Sequence, residues 1–369
     1  MNLCEVRKKV SKKQGFWIIL YPLFLLLSKL YCGVATFRYE LYRGGFLRQY
    51  FFPIPVISVG NIVAGGTGKT PLVEYIYTVL RDLGFSPAIV MRGYGGTEKG
   101  PVVAEENPDR YGDEAVLYVK KDFFTIISRN RVAGIDFAME KGANVVILDD
   151  GFQQFKVKPT INIVVIDPFN PFGGDFCLPL GTLREPVNFL ERADCFVISR
   201  ANIASVEKIN SLEIYLKNFG KPVFRGEQNF KYWINERFEK ISQPDEDINL
   251  FCGIGAPVQF VKMIEELGYR IEKSFFFPDH YGYIREDIER LSKYRNLVTT
   301  EKDLVKVSRY QLPVKVPVLG VEVFGLKEFI LNRIKNVEKH EEKDEQKVFI
   351  PDGISVSHSV ERGSFRESQ

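Results

Sequence analysis

The sequence predicts an α/β fold, a mostly parallel sheet with helices on both faces, joined to a smaller C-terminal α/β domain. Three observations carry that expectation. Between residues 53 and 200, short β-branched apolar runs alternate with amphipathic helical patterns, as in a parallel sheet covered on both sides. A glycine-rich turn separates the first of these runs from the first helix. A second αβ unit begins at Leu250-Phe251-Cys252-Gly253-Ile254-Gly255.

The candidate strands of the first unit are 56–59, 88–91, 124–127, 145–148, 163–166 and 196–198, with intervening helices at 71–83, 114–120 and 131–141. Pro71 sits where the first turn of a helix tolerates it. Residues 202–247 read as a helix and a connecting stretch rich in aromatics and charge. The second unit continues with helices at 257–267 and 285–293 and ends in a strand at 318–323. The chain thus divides into a basic and apolar N-terminal segment (1–48), the main domain (49–215), a linker (216–248), the smaller domain (249–335) and a polar, Ser-rich tail (336–369) expected to be disordered.

With 369 residues the chain can bury a large core, and its 45% hydrophobic and 26% charged residues are ordinary for a globular protein. A net charge of +3 is too small for a nucleic-acid binder. Charge is unevenly placed, however. Residues 1–48 hold Arg7, Lys8, Lys9, Lys12, Lys13, Lys29, Arg38, Arg43 and Arg48 against only Glu5 and Glu40, about +7, leaving about −4 for the remainder. The five cysteines are scattered, with no C-x-x-C pair, so neither a disulfide framework nor a zinc site is indicated and a reducing, cytoplasmic setting is the simplest reading.

The basic run is followed by 12 apolar residues, 16–27, too few to span a bilayer that needs about 20. Apolar character resumes beyond Lys29. The preferred reading is a helix lying in the membrane interface, aromatic and leucine side down, with its basic residues on lipid phosphates. An interrupted span, a signal peptide or a helix packed on the protein are the alternatives. Export is opposed by the motif that follows, which needs cytoplasmic ATP.

That motif is Val63-Ala64-Gly65-Gly66-Thr67-Gly68-Lys69-Thr70, between a strand and a helix. The expected framework is therefore P-loop NTPase-like. Glycines let backbone amides curl around phosphate oxygens, and the helix N-terminus adds positive potential. Lys69 is placed to reach the β- and γ-phosphates, and the Thr70 hydroxyl to ligate Mg²⁺. Val63 occupies the usual first glycine, so the loop is a variant. Residues 145–148 run into Asp149 and Asp150, two carboxylates at the C-terminal edge of a strand beside the loop, where ligands gather and one of them can hold the metal. A cap or turn before Gly151 is the plainer alternative.

Other polar clusters are weaker alone. Asp113, in Gly112-Asp113-Glu114, precedes a helical run and is equally an N-cap. His280 follows Asp279, which can orient it. Arg92 precedes Gly93-Tyr94-Gly95 and suits a phosphate. The 178–186 loop displays Arg184 and Glu185. Thr299-Thr300-Glu301-Lys302-Asp303 is near the guanine-reading N/T-K-x-D of GTPases, but Glu301 breaks the match.

In this order, with Ser58-Val59-Gly60-Asn61 and Asp149-Asp150-Gly151-Phe152-Gln153, the pieces resemble the tetraacyldisaccharide 4′-kinase family, the lipid A 4′-kinases of Gram-negative bacteria. The likeness covers about residues 10–330, and Val63 costs it little because the family's loop begins with asparagine rather than glycine. It implies a two-domain P-loop protein acting in the interdomain cleft at the cytoplasmic face of the inner membrane. The reaction implied is transfer of the ATP γ-phosphate, with Mg²⁺, to the 4′-hydroxyl of a tetraacyl glucosamine disaccharide 1-phosphate, giving lipid IVA. Carried over, Asp113 resembles the general base, paired with His280. Lys69, Asp149 and Asp150 join them as catalytic residues, and 63–70 hold the nucleotide. Thr70, Asp150 and Glu185 are implied metal contacts, and Asn61, Arg92, Tyr94 and Arg184 substrate contacts. The implied partners are the membrane-embedded acylated disaccharide and an anionic membrane surface, with no nucleic acid and no protein partner indicated. The alternative is a membrane-recruited P-loop ATPase or switch of the partitioning or targeting class, which the alanine at position 64 argues against because those loops carry lysine there.

Overall fold

The computed structural model describes residues 7, 10, 11, 19–244, 247–255, 257–279 and 281–345, with side chains through Lys335. In chain order the elements are α1 (Tyr21–Arg43), β1 (Val56–Gly60), α2 (Lys69–Asp82), β2 (Pro87–Met91), β3 (Val102–Val103), α3 (Pro108–Tyr111), α4 (Asp113–Lys120), β4 (Thr125–Ile127), α5 (Arg131–Glu140), β5 (Val145–Asp149), β6 (Ile161–Ile166) and β7 (Cys195–Ile198). They continue as α6 (Val206–Lys217), β8 (Val223–Ile234), β9 (Lys240–Ile241), β10 (Asp247–Cys252), α7 (Pro257–Glu266), β11 (Arg270–Phe276), α8 (Arg285–Leu291), β12 (Leu297–Val298), α9 (Glu301–Val307), β13 (Val316–Val323) and α10 (Leu326–Glu345).

The main sheet runs β13-β8-β7-β6-β1-β5-β2-β4-β3. From β8 to β4 every neighbouring pair is parallel, and antiparallel β3 and β13 close the two edges. Strand side chains alternate between faces, and the burial follows. Ile57, Ile89, Ile147, Ile163 and Val197 pack under α2, α4 and α10. On the opposite face Val56, Val90 and Val146 pack on α5, while Val164 and Phe196 pack on α6. Runs such as Val145–Asp149 are buried along their whole length, which is why they are apolar up to the carboxylate at the end. The second sheet, β11-β10-β12, is also parallel.

The stretch expected to be a linker at 216–248 contains β8, a 12-residue strand. It pairs with β7 at its start and with β13 from Gly226 to Ile234. The 318–323 strand pairs with β8 at the edge of the main sheet, although Val318 at its start packs in the second unit. These two strands form a ribbon shared by both cores. Phe224 and Val323 pack on the main sheet, whereas Ile234, Val316 and Val318 pack in the second unit. A strand that leaves one core, crosses solvent and enters another has no uniform burial, so its mixed aromatic and charged sequence lacked a strand's pattern. The helix after it, α10, returns to the main sheet through Leu326, Ile330 and Ile334 and runs through the first residues of the expected tail to Glu345; residues 346–369 lie outside those described.

The first helix, α1, docks along one side only. Ser28 Oγ donates to the carbonyl of Cys177 at 2.7 Å, and the Tyr39 ring lies 4.6 Å from that of Phe189. Leu23, Leu26, Leu27, Leu30, Val34 and Phe37 are exposed at helical spacing, a continuous apolar stripe. No described helix is long and apolar enough to cross a membrane. Lys8, Lys9, Lys12 and Lys13 and the apolar residues 16–18 lie outside the described residues.

Backbone proximity sets one further constraint on the site. A Cβ added to Gly60, the last residue of β1, would stand 2.6 Å from the backbone nitrogen of Phe152. Gly60→Ala is therefore expected to cost about 1–3 kcal/mol of stability by urea unfolding. Gly33→Ala, in mid-helix with nothing within 4 Å, should not lower stability.

Candidate active site

Both parallel sheets present their C-terminal edges to a shared gap, the place where α/β sheets bind ligands. From the main sheet β1 delivers the 61–68 turn, β5 delivers Asp149 and Asp150, and β7 delivers Ser199 and Arg200. From the second, β10 delivers Gly253-Ile254-Gly255, β11 delivers Asp279, and β12 delivers Thr299 and Thr300. Helices α4 and α9 lock the two together. Val116 and Leu117 bury against Val305, Lys302 pairs with Glu114, Lys306 stands 3.6 Å from Asp113, and Lys121 stands 2.7 Å from Glu301.

The turn itself is held open from several sides. Gly65 and Gly68 take φ of 124° and 86°, accessible to glycine without strain. Asn61 Nδ2 donates to the Val63 carbonyl at 2.7 Å and to Thr67 Oγ1 at 2.8 Å. Ser199 Oγ donates to the Thr67 carbonyl at 2.8 Å. The Ala64 and Arg184 amides donate to the Thr182 and Ile62 carbonyls, each at 2.7 Å, and so lace the turn to the 178–186 loop. Val63 pairs with Leu183 and is buried, with no need of the left-handed backbone that glycine would supply.

Charge is closely balanced around this turn. Lys69 Nζ lies 3.4 Å from Asp150 Oδ1 and 3.3 Å from Asn61 Oδ1, and Arg184 lies 2.7 Å from the same Asp150 oxygen. Burial opposes ionisation of Asp150, but Lys69 and Arg184 overcome it and hold the carboxyl well below its ordinary range. Asp149 has no comparable cation. Burial, then the nearby Glu114 charge, pushes it up to about 7 against the pull of Lys69, and Tyr118 donates a 3.1 Å hydrogen bond to it. Glu114 accepts a 3.4 Å hydrogen bond from Thr70 Oγ1, and Lys302 keeps it ionised despite its burial.

The expected site residues do not all converge. Asp113 is the first residue of α4, whose N-cap is Gly112 with no side-chain capping bond; its carboxylate faces Lys306, so capping is not its role. Arg92 and Tyr94 stand exposed on a loop whose backbone touches Gly112, where a Cβ would lie 2.3 Å from the Tyr94 carbonyl oxygen. Glu185 turns the other way, to Arg192 and Gln153, beneath α1. Burial pushes its carboxyl up to about 7 although Arg192 opposes this. Gln153 also donates to the Asn61 carbonyl at 2.8 Å, one hydrogen-bonded residue between Glu185 and the turn. His280 lies outside the described residues. In the near-GTPase motif, Asp303 is fully buried and accepts from the Gly253 amide at 3.0 Å, while Lys302 serves Glu114.

Several side chains that meet at this gap carry little or no signal of their own in the sequence. Glu114 and Lys302 stood inside quoted motifs but were given no role, and Tyr118 follows Glu114 by one helical turn on the same face. Ser199 and Arg131, whose guanidinium approaches the Asp149 carbonyl at 3.5 Å, gave no local signal.

Residues 20–335 match the model of the family described as tetraacyldisaccharide-1-P 4′-kinase. The tetraacyldisaccharide 4′-kinase of Syntrophus aciditrophicus is 37% identical over 341 residues, covering 84% of this chain and 91% of that protein. The protein of the same name from Desulfotalea psychrophila is 34% identical over 311 residues, covering 79% and 89%. A crystal structure of LpxK from Aquifex aeolicus in complex with ATP superposes with a TM-score of 0.70 at 31% identity, covering 85% of this chain and 98% of that one. With turn, paired aspartates and facing sheet edges in place, the chain belongs to the tetraacyldisaccharide-1-P 4′-kinase family.

Proposed function

We propose that this chain transfers the γ-phosphate of ATP to the 4′-hydroxyl of a tetraacyl glucosamine disaccharide 1-phosphate, giving lipid IVA, at the cytoplasmic face of the inner membrane. The observation that carries the reading is the linked set Asn61, Lys69, Thr70, Glu114, Asp149 and Asp150 at the gap, with Asp113 on the same helical turn as Glu114. The relatives' names and the ATP in the A. aeolicus structure agree with it.

Phosphoryl transfer depends on alignment and charge neutralisation more than on covalent help. Backbone amides of 65–70 and the N-terminus of α2 take the phosphates, with Lys69 on the β- and γ-phosphates. Arg184 satisfies Asp150, which leaves Lys69 free to serve the incoming anion while Asp150 fixes its position. As the 4′-oxygen bonds to the γ-phosphorus and the bond to ADP breaks, Asp113 accepts the hydroxyl proton, with His280 as its partner by the family resemblance. Arg92 and Tyr94 border the open side where the sugar enters.

The donor set fits Mg²⁺. Among the described residues no group of three His, Cys, Asp or Glu makes a protein cage, and Mg²⁺ bound to nucleotide needs only one or two carboxylates besides phosphate oxygens. Thr70, with Glu114, which already accepts from its hydroxyl, and Asp149, the neighbouring buried carboxyl, would hold it. Asp150 is held by Lys69 and Arg184, and Glu185 by Arg192. When bound, the ion neutralises β- and γ-phosphate charge.

The lipid side is α1. Its exposed leucine, valine and phenylalanine stripe, continued by Phe46 and Phe51, suits the acyl boundary, and Lys29, Arg38, Arg43 and Arg48 suit anionic headgroups.

Incubation with γ-labelled ATP and the disaccharide 1-phosphate tests the assignment: a labelled bisphosphate product is expected, and labelled inorganic phosphate alone would point to the ATPase reading. Asp113→Asn should lower kcat about 100-fold or more with nucleotide affinity retained. In nucleotide-free thermal melts, Asp149 makes stability fall as pH rises from about 4 to about 7, because the carboxyl ionises first in the unfolded chain; Asp149→Asn should flatten that slope. Replacing Leu26 and Leu30 by serine should weaken sedimentation with phosphatidylglycerol vesicles while leaving turnover of detergent-dispersed lipid near normal.

A further inference from the structure

Arg200 lies 130 residues beyond the phosphate loop in sequence, yet three parts of the molecule meet on its side chain. It follows β7, and its backbone takes φ 52°, a left-handed conformation that non-glycine residues adopt at a cost of about 1–3 kcal/mol. One guanidinium nitrogen lies 2.6 Å from Asp167 Oδ2 at the end of β6 and 3.4 Å from the carbonyl oxygen of Gly66, inside the loop. The other terminal nitrogen donates to Oε1 of Gln259 on α7, in the second unit. The Nε atom is buried without a hydrogen-bond partner, and the side chain is 14% exposed. Ser199, just before it, holds the next loop carbonyl, that of Thr67. Consecutive residues after β7 therefore grip consecutive carbonyls of the loop.

We propose that Arg200 is a positioning residue that couples occupancy of the phosphate loop to docking of the second unit, through Gln259. A guanidinium presents its donors in a rigid fork, so pinning by Asp167 fixes where the remaining donors point. A change at the Gly66 carbonyl, such as loop tightening on a triphosphate, moves the same rigid group that Gln259 reads. The contacts of α4 with α9 join the two units through Glu114, beside Thr70; Arg200 joins them at Gly66, so the loop is clamped at both ends. The inference rests on the reading of 65–70 as the nucleotide cradle.

Hydrogen exchange of α7, measured with and without β,γ-methylene-ATP and Mg²⁺, tests it alongside kinetics. In the unaltered chain nucleotide should slow exchange across 257–266. Gln259→Leu should bind nucleotide within about twofold of normal, lose that slowing, and lower kcat about fivefold or more with KM for ATP little changed. Gln259→Glu, which keeps an acceptor for the guanidinium, should retain the slowing. Arg200→Lys, with no fork, should behave as Gln259→Leu does. Nucleotide binding with α7 protection intact in Gln259→Leu and Arg200→Lys overturns the coupling alone. Failure of the unaltered chain to bind nucleotide overturns the cradle reading and the coupling with it.

Discussion

The arrangement depends on opposing charges held across the gap between two parallel sheet edges. Glu114 and Asp113 on α4 meet Lys302 and Lys306 on α9, over a small buried contact of Val116, Leu117 and Val305. Neither sheet alone could hold these partly buried charged groups so well, because an unpaired charge becomes costly as it leaves water. Each unit neutralises the other's, and the paired charges then define where the phosphate loop, the aspartates and the second unit's loops can stand. Glu114 belongs both to this clamp and to the site, through Thr70.

Within the gap the two neighbouring aspartates have opposite environments. Asp150 is surrounded by Lys69 and Arg184 and stays ionised; Asp149 is buried, close to Glu114, and pushed up to about 7. One carboxylate is thus a fixed anchor for the loop lysine, and the other has no comparable cation beside it. The β8–β13 ribbon, with side chains in both cores, is the covalent frame around which these charges are matched.

Much of this was legible in the sequence because it depends on local pattern. The central strands are buried along their length and so mostly apolar, and the turn at 65–70 announces itself by its glycines and Lys69-Thr70. What was not legible is what depends on partners distant in sequence. The β8 strand pairs with residues about 90 positions away and changes core midway, so its pattern follows neither a strand nor a loop. Glu185 sat beside Arg184 in a displayed pair, yet consecutive residues point to opposite sides, and it is Arg192 and the aromatic floor under α1 that claim it. Ser199 and Arg200 end an ordinary buried strand, with nothing nearby to mark that they reach across to the loop.

The central claim is that Glu114 and Lys302 act as one unit that assembles a phosphotransfer site from both halves. A double-mutant cycle on the transfer rate from labelled ATP, with Glu114→Gln, Lys302→Met and the double variant, tests it most directly. The account predicts that the double variant loses about as much activity as either single one. Losses that multiply independently would contradict it.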